Sequence, residues 1–213
     1  MYSIVKTRIA QGRQTVSYPK EPPALPDRFR GLPEIDSSKC GKNCILCVQA
    51  CPVNAITKDH GELALDLGAC IFCGNCEHVC PDKAIQFTSE YRMGSRDRRN
   101  LLIRGAGTFR PVLPLESERL RLFHRSLRLR QVSAGGCNAC ESDVNVLNTV
   151  VFDLSRFGVQ FVASPRHADG LLVTGPVTMN MELALKKTYE ATPSPKIVIG
   201  RWFDMKSYQR GTI

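Results

Sequence analysis

No window of the 213-residue chain approaches 18 uninterrupted apolar residues, so the sequence offers no transmembrane helix. The N-terminal run Met1-Tyr-Ser-Ile-Val-Lys-Thr-Arg-Ile-Ala10 lacks an apolar stretch followed by a small-residue cleavage site, and secretion is not expected. Residues 1–39 show no sustained apolar period. They contain Pro19, Pro22, Pro23, Pro26 and Pro33, and an extended arm lying over another part of the fold is expected there. Lysine is missing from residues 91–130, where eleven arginines face three acids and supply nearly all of the net charge of +9. That stretch holds only three aromatics, Tyr91, Phe109 and Phe123, and no recognisable nucleic-acid-binding module. It therefore reads as an Arg-rich linker over 91–115, solvated or docked on an acidic partner through guanidinium forks, with no nucleic acid as partner.

The composition is otherwise that of a globular protein, 43% hydrophobic and 23% charged, which excludes wholesale disorder. Ten cysteines are too few for a small disulfide scaffold, and eight of them fall within residues 40–90. Clustered cysteines in a chain without a secretion signal point to a reducing compartment and to a role as ligands.

Residues 40–90 contain a repeat. Cys44, Cys47, Cys51, Pro52, Ala55 and Ile56 recur 29 positions later as Cys73, Cys76, Cys80, Pro81, Ala84 and Ile85. Only Cys40 breaks register with Cys70, because one residue is inserted in the Gly41-Lys42-Asn43 loop. Between the copies, Glu62-Leu-Ala-Leu-Asp66 alternates as a strand does.

The spacing Cys70-x-x-Cys73-x-x-Cys76-x-x-x-Cys80-Pro81 is that of a bacterial two-cluster ferredoxin. Three thiolates on one tight loop can reach three irons of a cubane but cannot wrap round to the fourth, which must take its ligand from the other copy. Two 4Fe–4S clusters are therefore expected. Cluster 1 would be held by Cys40, Cys44, Cys47 and Cys80, and cluster 2 by Cys70, Cys73, Cys76 and Cys51. Zinc also takes Cys-x-x-Cys pairs, but a zinc site needs only four thiolates from well-separated knuckles, and duplication with exchange of a ligand favours the clusters.

From about residue 116 the texture changes. Leu127 to Val132 reads as a strand, followed by a Gly-Gly-Cys loop and a helix over Ser142 to Phe157. Strands are expected at Val159–Ala163, Gly170–Thr174 and Ile197–Ile199, with a helix around Met181 to Tyr189. Alternating strands and helices imply a parallel α/β sheet. Cys137-Asn-Ala-Cys140-Glu141 opens the first helix, where such sheets bind ligands. A lone Cys-x-x-Cys suggests a redox dithiol or half a metal site; cysteine is absent beyond it, so as cluster ligands Cys137 and Cys140 make at most an incomplete third site.

Residues 1–92 resemble the ferredoxin-type subunit of formate hydrogenlyase and of related group 4 membrane-bound hydrogenases. The likeness rests on Gly12, Tyr18-Pro-Lys-Glu-Pro22, Phe29-Arg-Gly-Leu-Pro-Glu34, Gly61-Glu-Leu-Ala64, Leu67-Gly-Ala-Cys-Ile-Phe-Cys-Gly74 and Glu90-Tyr91. Residues 122–199 resemble the small subunit of the same complexes, homologous to the 20 kDa subunit of complex I. Here the matching stretches are Leu127-Arg-Leu-Arg130, Gly136-Cys-Asn-Ala-Cys-Glu141, Asp153–Gly158, Phe161–Asp169, Leu171–Thr178 and Thr188–Pro193. The resemblance implies an α+β ferredoxin-like two-cluster domain followed by an incomplete α/β flavodoxin-like parallel-sheet domain. The expected organisation is an arm over 1–39, the cluster domain over 40–90, the linker over 91–115, and a truncated small-subunit-like domain over 116–213.

In that family a third and a fourth cysteine follow the strand matching Lys196–Gly200, whereas this chain runs from Arg201 to Ile213 without them. A third 4Fe–4S cluster is therefore not expected. The resemblance implies an electron-transfer subunit of a membrane-associated nickel–iron hydrogenase complex. Its partners would be the hydrogenase large subunit, other subunits of the complex and a donor module such as formate dehydrogenase. It would sit in the cytoplasm, associated peripherally with the inner face of the membrane through those subunits. No residues form a recognisable acid–base or nickel-binding constellation, so no catalytic residue is expected. A complex I-type electron wire, or a docking or assembly subunit with a degenerate third site, is the alternative.

Overall fold

A computed structural model describes residues 2–41, 43–59, 61–105, 109 and 126–201. The chain divides into two compact units, one from Leu25–Leu115 and the other from Met1–Ala24 with Glu116–Trp202.

In the first unit the sequence repeat becomes a structural one. Each cysteine loop runs into a short helix and then a strand: α2 (Leu46–Ala50) leads to β2 (Ile56–Asp59), and α3 (Asn75–His78) leads to β4 (Ile85–Phe87). Each strand then finds an antiparallel partner outside its own copy. β4 pairs with β1 (Pro33–Ile35), Ile35 opposite Ile85, while β2 pairs with β3 (Glu62–Asp66), Ile56 opposite Leu65. The expected alternation of Glu62–Asp66 is thus a strand. Ile35, Ile56, Leu63, Leu65, Ile85 and Ile103 form one buried core, which also takes in Cys47 and Cys76. The cysteine loops are therefore anchored on the same apolar surface that holds the strands, and hydrophobic burial fixes the sulfurs in place.

Two expectations are corrected here. The stretch 91–115 is not a plain linker. Arg98–Leu101 forms a 3₁₀ turn and β5 (Leu102–Arg104) adds to the free edge of β3, giving the order β2-β3-β5 with Ile103 opposite Leu65. The turn is capped by Asp97, whose carboxylate accepts the Arg99 amide at 2.9 Å, and Arg98 pairs with Asp66 on β3. Three strand residues among arginines leave too short an alternation to see. Residues 106–108 and 110–125 lie outside the described residues. Likewise the arm over 1–39 is not extended throughout, because Tyr2–Gln11 forms helix α1, which buries none of its residues. Proline and glycine are absent before Gly12, which ends the helix at φ 61° and whose carbonyl accepts from Arg8 at 2.8 Å.

In the second unit, residues following α1 lie along the turn after the first sheet helix. Val16 donates its amide to the Val151 carbonyl at 2.9 Å, Arg156 donates to the Val16 carbonyl at 2.7 Å, and Tyr18 meets Phe157 edge to face. The sheet is wholly parallel. It comprises β6 (Leu127–Ser133), β7 (Val159–Phe161), β8 (Gly170–Thr174) and β9 (Ile197–Arg201) in the order β7-β6-β8-β9. All five residues of β8 are buried, as expected of a central parallel strand covered on both faces. Leu171 and Val173 point to one face, with Val132 and Leu185 of helix α5 (Met179–Ala191); Leu172 points to the other, with Leu129 and Val144 of helix α4 (Ala139–Val146).

The single helix expected over Ser142–Phe157 is broken. α4 stops at Val146, and a separate 3₁₀ turn occupies Leu154–Phe157. The β-branched run Thr149-Val150-Val151 and the left-handed Asp153 (φ 45°) account for the break. Residues 202–213, including the tail after Arg201, lie outside the described residues.

Candidate metal centres

The two cysteine loops close by the same local device. Asn54 and Lys83, 29 residues apart, both adopt the left-handed conformation, at φ 52° and 49°. This turns the next amide back, so that Ala55 donates to Cys51 Sγ and Ala84 to Cys80 Sγ, each at 3.2 Å. The following residues begin β2 and β4 almost at once. Asparagine tolerates that conformation and signals it in sequence; lysine does not, and Lys83 would pass unnoticed. The second loop is tightened further by Phe72 (φ 53°) and Gly74 (φ 81°), and the Phe72 amide reaches Cys70 Sγ at 3.3 Å. A side chain at Gly74 would strike Arg30, whose guanidinium lies over the loop.

One recess is lined by Cys51 of the first loop together with Cys70, Cys73 and Cys76 of the second. Its remaining wall is apolar, with Ile56, Leu65, Ile71 and Phe87. Cys40, Cys47 and Cys80 form the other group. Burial raises the Cys47 thiol above its ordinary pKa, and the nearby sulfurs of Cys40 and Cys80 add to the effect. Cys44 follows Cys40 on the same loop, its amide bonded to the Gly41 carbonyl at 3.0 Å. In the recess, Cys76 is pushed up to about 12, first by burial and then by Cys70; Cys70 is raised by burial, with Cys51 and Cys73 contributing.

All ten cysteines are free thiols. Eight are crowded on or beside a buried core, where like charges would repel, and a bound cationic core reverses that repulsion and drives the thiols to thiolates. Among the described residues no three His, Cys, Asp or Glu side chains come close enough to hold a single metal ion. A cubane spreads its thiolates over four irons, so its ligands line a recess instead of meeting at a point. The donor set is all sulfur, and it fits iron–sulfur chemistry.

The first loop carries a further contact that spacing does not reveal. Lys58 on β2 is half-buried, and its Nζ donates to Cys40 Sγ at 3.4 Å, to the Gly41 carbonyl at 2.7 Å and to the Cys44 carbonyl at 3.0 Å.

The second unit sets Cys137, exposed, and Cys140, half-buried, at the start of α4, beyond the carboxyl ends of β6 and β8. Gly135 (φ 114°) and Gly175 (φ 73°) let these loops approach closely: a Cβ at Gly175 would lie 2.6 Å from the Gly136 amide nitrogen. Glu141 is buried behind them, where its Oε1 accepts from the Thr174 hydroxyl at 2.6 Å. That hydrogen bond, assisted by Ser133, lowers the Glu141 pKa. Nothing in the sequence pattern singles out Thr174 as its anchor.

Residues 32–93 match the model of the 4Fe-4S dicluster domain, and residues 137–201 match that of the NADH ubiquinone oxidoreductase 20 Kd subunit. The probable membrane-bound hydrogenase subunit mbhJ of Pyrococcus furiosus is 48% identical over 37% of this chain and 47% of its own length. Formate hydrogenlyase subunit 6 of Escherichia coli is 44% identical over 44% of this chain and 54% of its own. An NADH-quinone oxidoreductase subunit I of Geobacter metallireducens is 32% identical over 41% of this chain and 77% of its own. The chain spans about half the length of most of the curated relatives it matches.

Proposed function

The chain belongs to the 4Fe-4S dicluster family, joined in one polypeptide to a domain of the 20 kDa-subunit type, and on that premise we propose that it is an electron-transfer subunit of a membrane-bound hydrogenase-like complex. The observation that carries this reading is the mixed lining of one recess, with Cys51 from the first motif beside Cys70, Cys73 and Cys76 from the second. In this reading Cys51, Cys70, Cys73 and Cys76 hold one 4Fe–4S cluster and Cys40, Cys44, Cys47 and Cys80 the other. When bound, such clusters take up and release one electron at a time. The chain's own part is to keep water from the sulfurs with Ile56, Leu65 and Phe87, and to aim the Ala55, Ala84 and Phe72 amides at them.

The route runs from a donor module, such as a formate dehydrogenase, to a nickel–iron catalytic subunit. The names of the hydrogenase and formate hydrogenlyase relatives support it. No described helix is long and apolar enough to cross a membrane, so association with the inner face of the membrane would be through partner subunits. The cluster-binding segment 40–90 works as one body with the strands that flank it, β1 and β5. The second unit is read as flavodoxin-like: numbered within the sheet, its strand order is 2-1-3-4, as in that fold. Cys137 and Cys140, with only two thiols between them, are read as a docking edge without a third cluster.

Iron and acid-labile sulfide in anaerobically purified protein test the reading, and about eight irons per chain are expected from two four-iron centres. Zinc in place of iron would overturn it, and about twelve irons would overturn the count of two. A quinone-reducing wire of the complex I type is the second reading, favoured by the 77% coverage of the subunit I relative. Co-purification with a nickel-containing large subunit supports the first, and with a quinone-binding membrane arm the second.

A further inference from the structure

The two halves of the cysteine repeat match at their cysteines, prolines, alanines and isoleucines, and one of the places where they differ lies against the sulfurs. Lys58 and Phe87 occupy equivalent places, 29 residues apart, each two residues beyond the matched isoleucines Ile56 and Ile85. Lys58 directs an ammonium at Cys40 Sγ, 3.4 Å away. Phe87 instead presents a ring to the recess of Cys51, Cys70, Cys73 and Cys76, packed edge to face on Phe72.

The remaining sulfur bonds balance. The amide of Ala84 on Cys80 is mirrored by that of Ala55 on Cys51, both at 3.2 Å. The lysine on Cys40 then has its counterpart in the Phe72 amide on Cys70, at 3.3 Å. Among the described residues these four bonds fall two to each set of sulfurs, and of their donors Lys58 is the one that carries a charge.

Other charges near the second set do not restore the symmetry. Asp66 lies close to Cys70, but its charge is engaged by Arg98. Arg30 lies over Gly74, but it is exposed and screened by water. Lys58 is half-buried and held on three sides, by one sulfur and two carbonyls.

We propose that Lys58 is a positioning residue that raises the reduction potential of the centre at Cys40, Cys44, Cys47 and Cys80 above that of its partner. The proposal rests on the two-cluster reading above. Reduction adds one negative charge to a cluster, and a nearby ammonium stabilises the reduced form more than an apolar ring does. Electrons then come to rest on the lysine-side centre, and the phenylalanine-side centre is the one that passes them on. The repeat supplies two like sites, and the difference between Lys58 and Phe87 gives the pair a direction.

The test is a redox titration of the intact chain under anaerobic conditions, followed by electron paramagnetic resonance. Lys58→Gln is expected to reduce the equilibrium constant for reduction of one centre roughly tenfold, about 59 mV for a one-electron couple, and to leave the other in place. Lys58→Arg, which keeps the charge, is expected to stay near the wild-type midpoint. No shift, an equal shift of both centres, or a shift with Lys58→Arg as large as with Lys58→Gln would overturn the proposal.

Should Lys58→Gln fail to hold its cluster, wild-type protein labelled with ¹⁵N only at the lysine side-chain nitrogen gives the answer. When the sample is poised so that a single centre is reduced, that centre is expected to show coupling to the label, and Lys58→Arg to abolish it. Coupling found only in the second centre to be reduced would sink the proposal. A chain without about eight irons would instead sink the two-cluster reading itself.

Discussion

Ala55 and Ala84, 29 residues apart, donate their amides over the same 3.2 Å to Cys51 and Cys80. Both alanines are almost fully buried, so there is no room for a larger side chain where the loop turns into its strand. These two cysteines are the ones that the ligand exchange assigns to the other copy's cluster. In the proposed assignment the matched bonds would hold both exchanged ligands in the same way.

Replacing Cys51 by serine is expected to remove the centre of the second loop, although Cys51 lies in the first. Iron content is expected to fall from about eight to about four per chain, with the lost paramagnetic signal being the one also lost in Cys76→Ser. If Cys51→Ser instead removed the same signal as Cys44→Ser, the crosswise assignment would be wrong.

The Arg98–Asp66 pair ties the 3₁₀ turn to β3 with both side chains mostly covered. Arg98→Ala strips the Asp66 carboxylate of that partner and is expected to cost about 2 kcal/mol in denaturant unfolding of the intact protein. Arg92→Ala, whose side chain is mostly exposed, is expected to cost less. Equal costs would contradict the structural role given to residues 98–104.

Leu171 is fully buried in the central strand of the parallel sheet. Leu171→Ala is expected to destabilise the second unit by about 2–5 kcal/mol, read from its unfolding transition. Iron content is expected to be unchanged, because the eight clustered cysteines belong to the first unit. Loss of iron in that variant would show that the units do not fold independently.

Asp97 has its carboxyl pKa lowered to about 2 by the Arg99 side chain and amide. A depressed carboxyl favours the folded turn above the unfolded pKa near 4, and the contribution is lost as pH falls through about 2. Carbon-detected titration by nuclear magnetic resonance is expected to find that midpoint in wild type and a higher one in Arg99→Ala. An unchanged midpoint would show that Arg99 is not the cause.

Much of the cluster unit could be read before any coordinates. The 29-residue repeat is a property of the string, and Glu62–Asp66 shows as a strand because charged ends bracket the buried Leu63, Ala64 and Leu65. β5 could not be read: its three residues gain their strand character from the vacant edge of β3, which lies in no local window. The helix expected over Ser142–Phe157 was over-long, because apolar spacing persists through Val150 and Val151 although β-branching breaks the backbone there. At the sites, cysteine spacing announces the ligands, whereas the bonds around them do not show. Lys58 meets Cys40 only once the first loop has folded, and Glu141 meets Thr174 only once two parallel strands are side by side.

β5 is the last strand of its sheet to be synthesised, and the whole second cysteine loop lies between it and its neighbour β3. A growing polypeptide therefore displays all eight clustered thiols to the surroundings while one flank of that sheet still stands open. The segment from Arg98 to Arg104 can close that edge only after the whole second cysteine loop has been made.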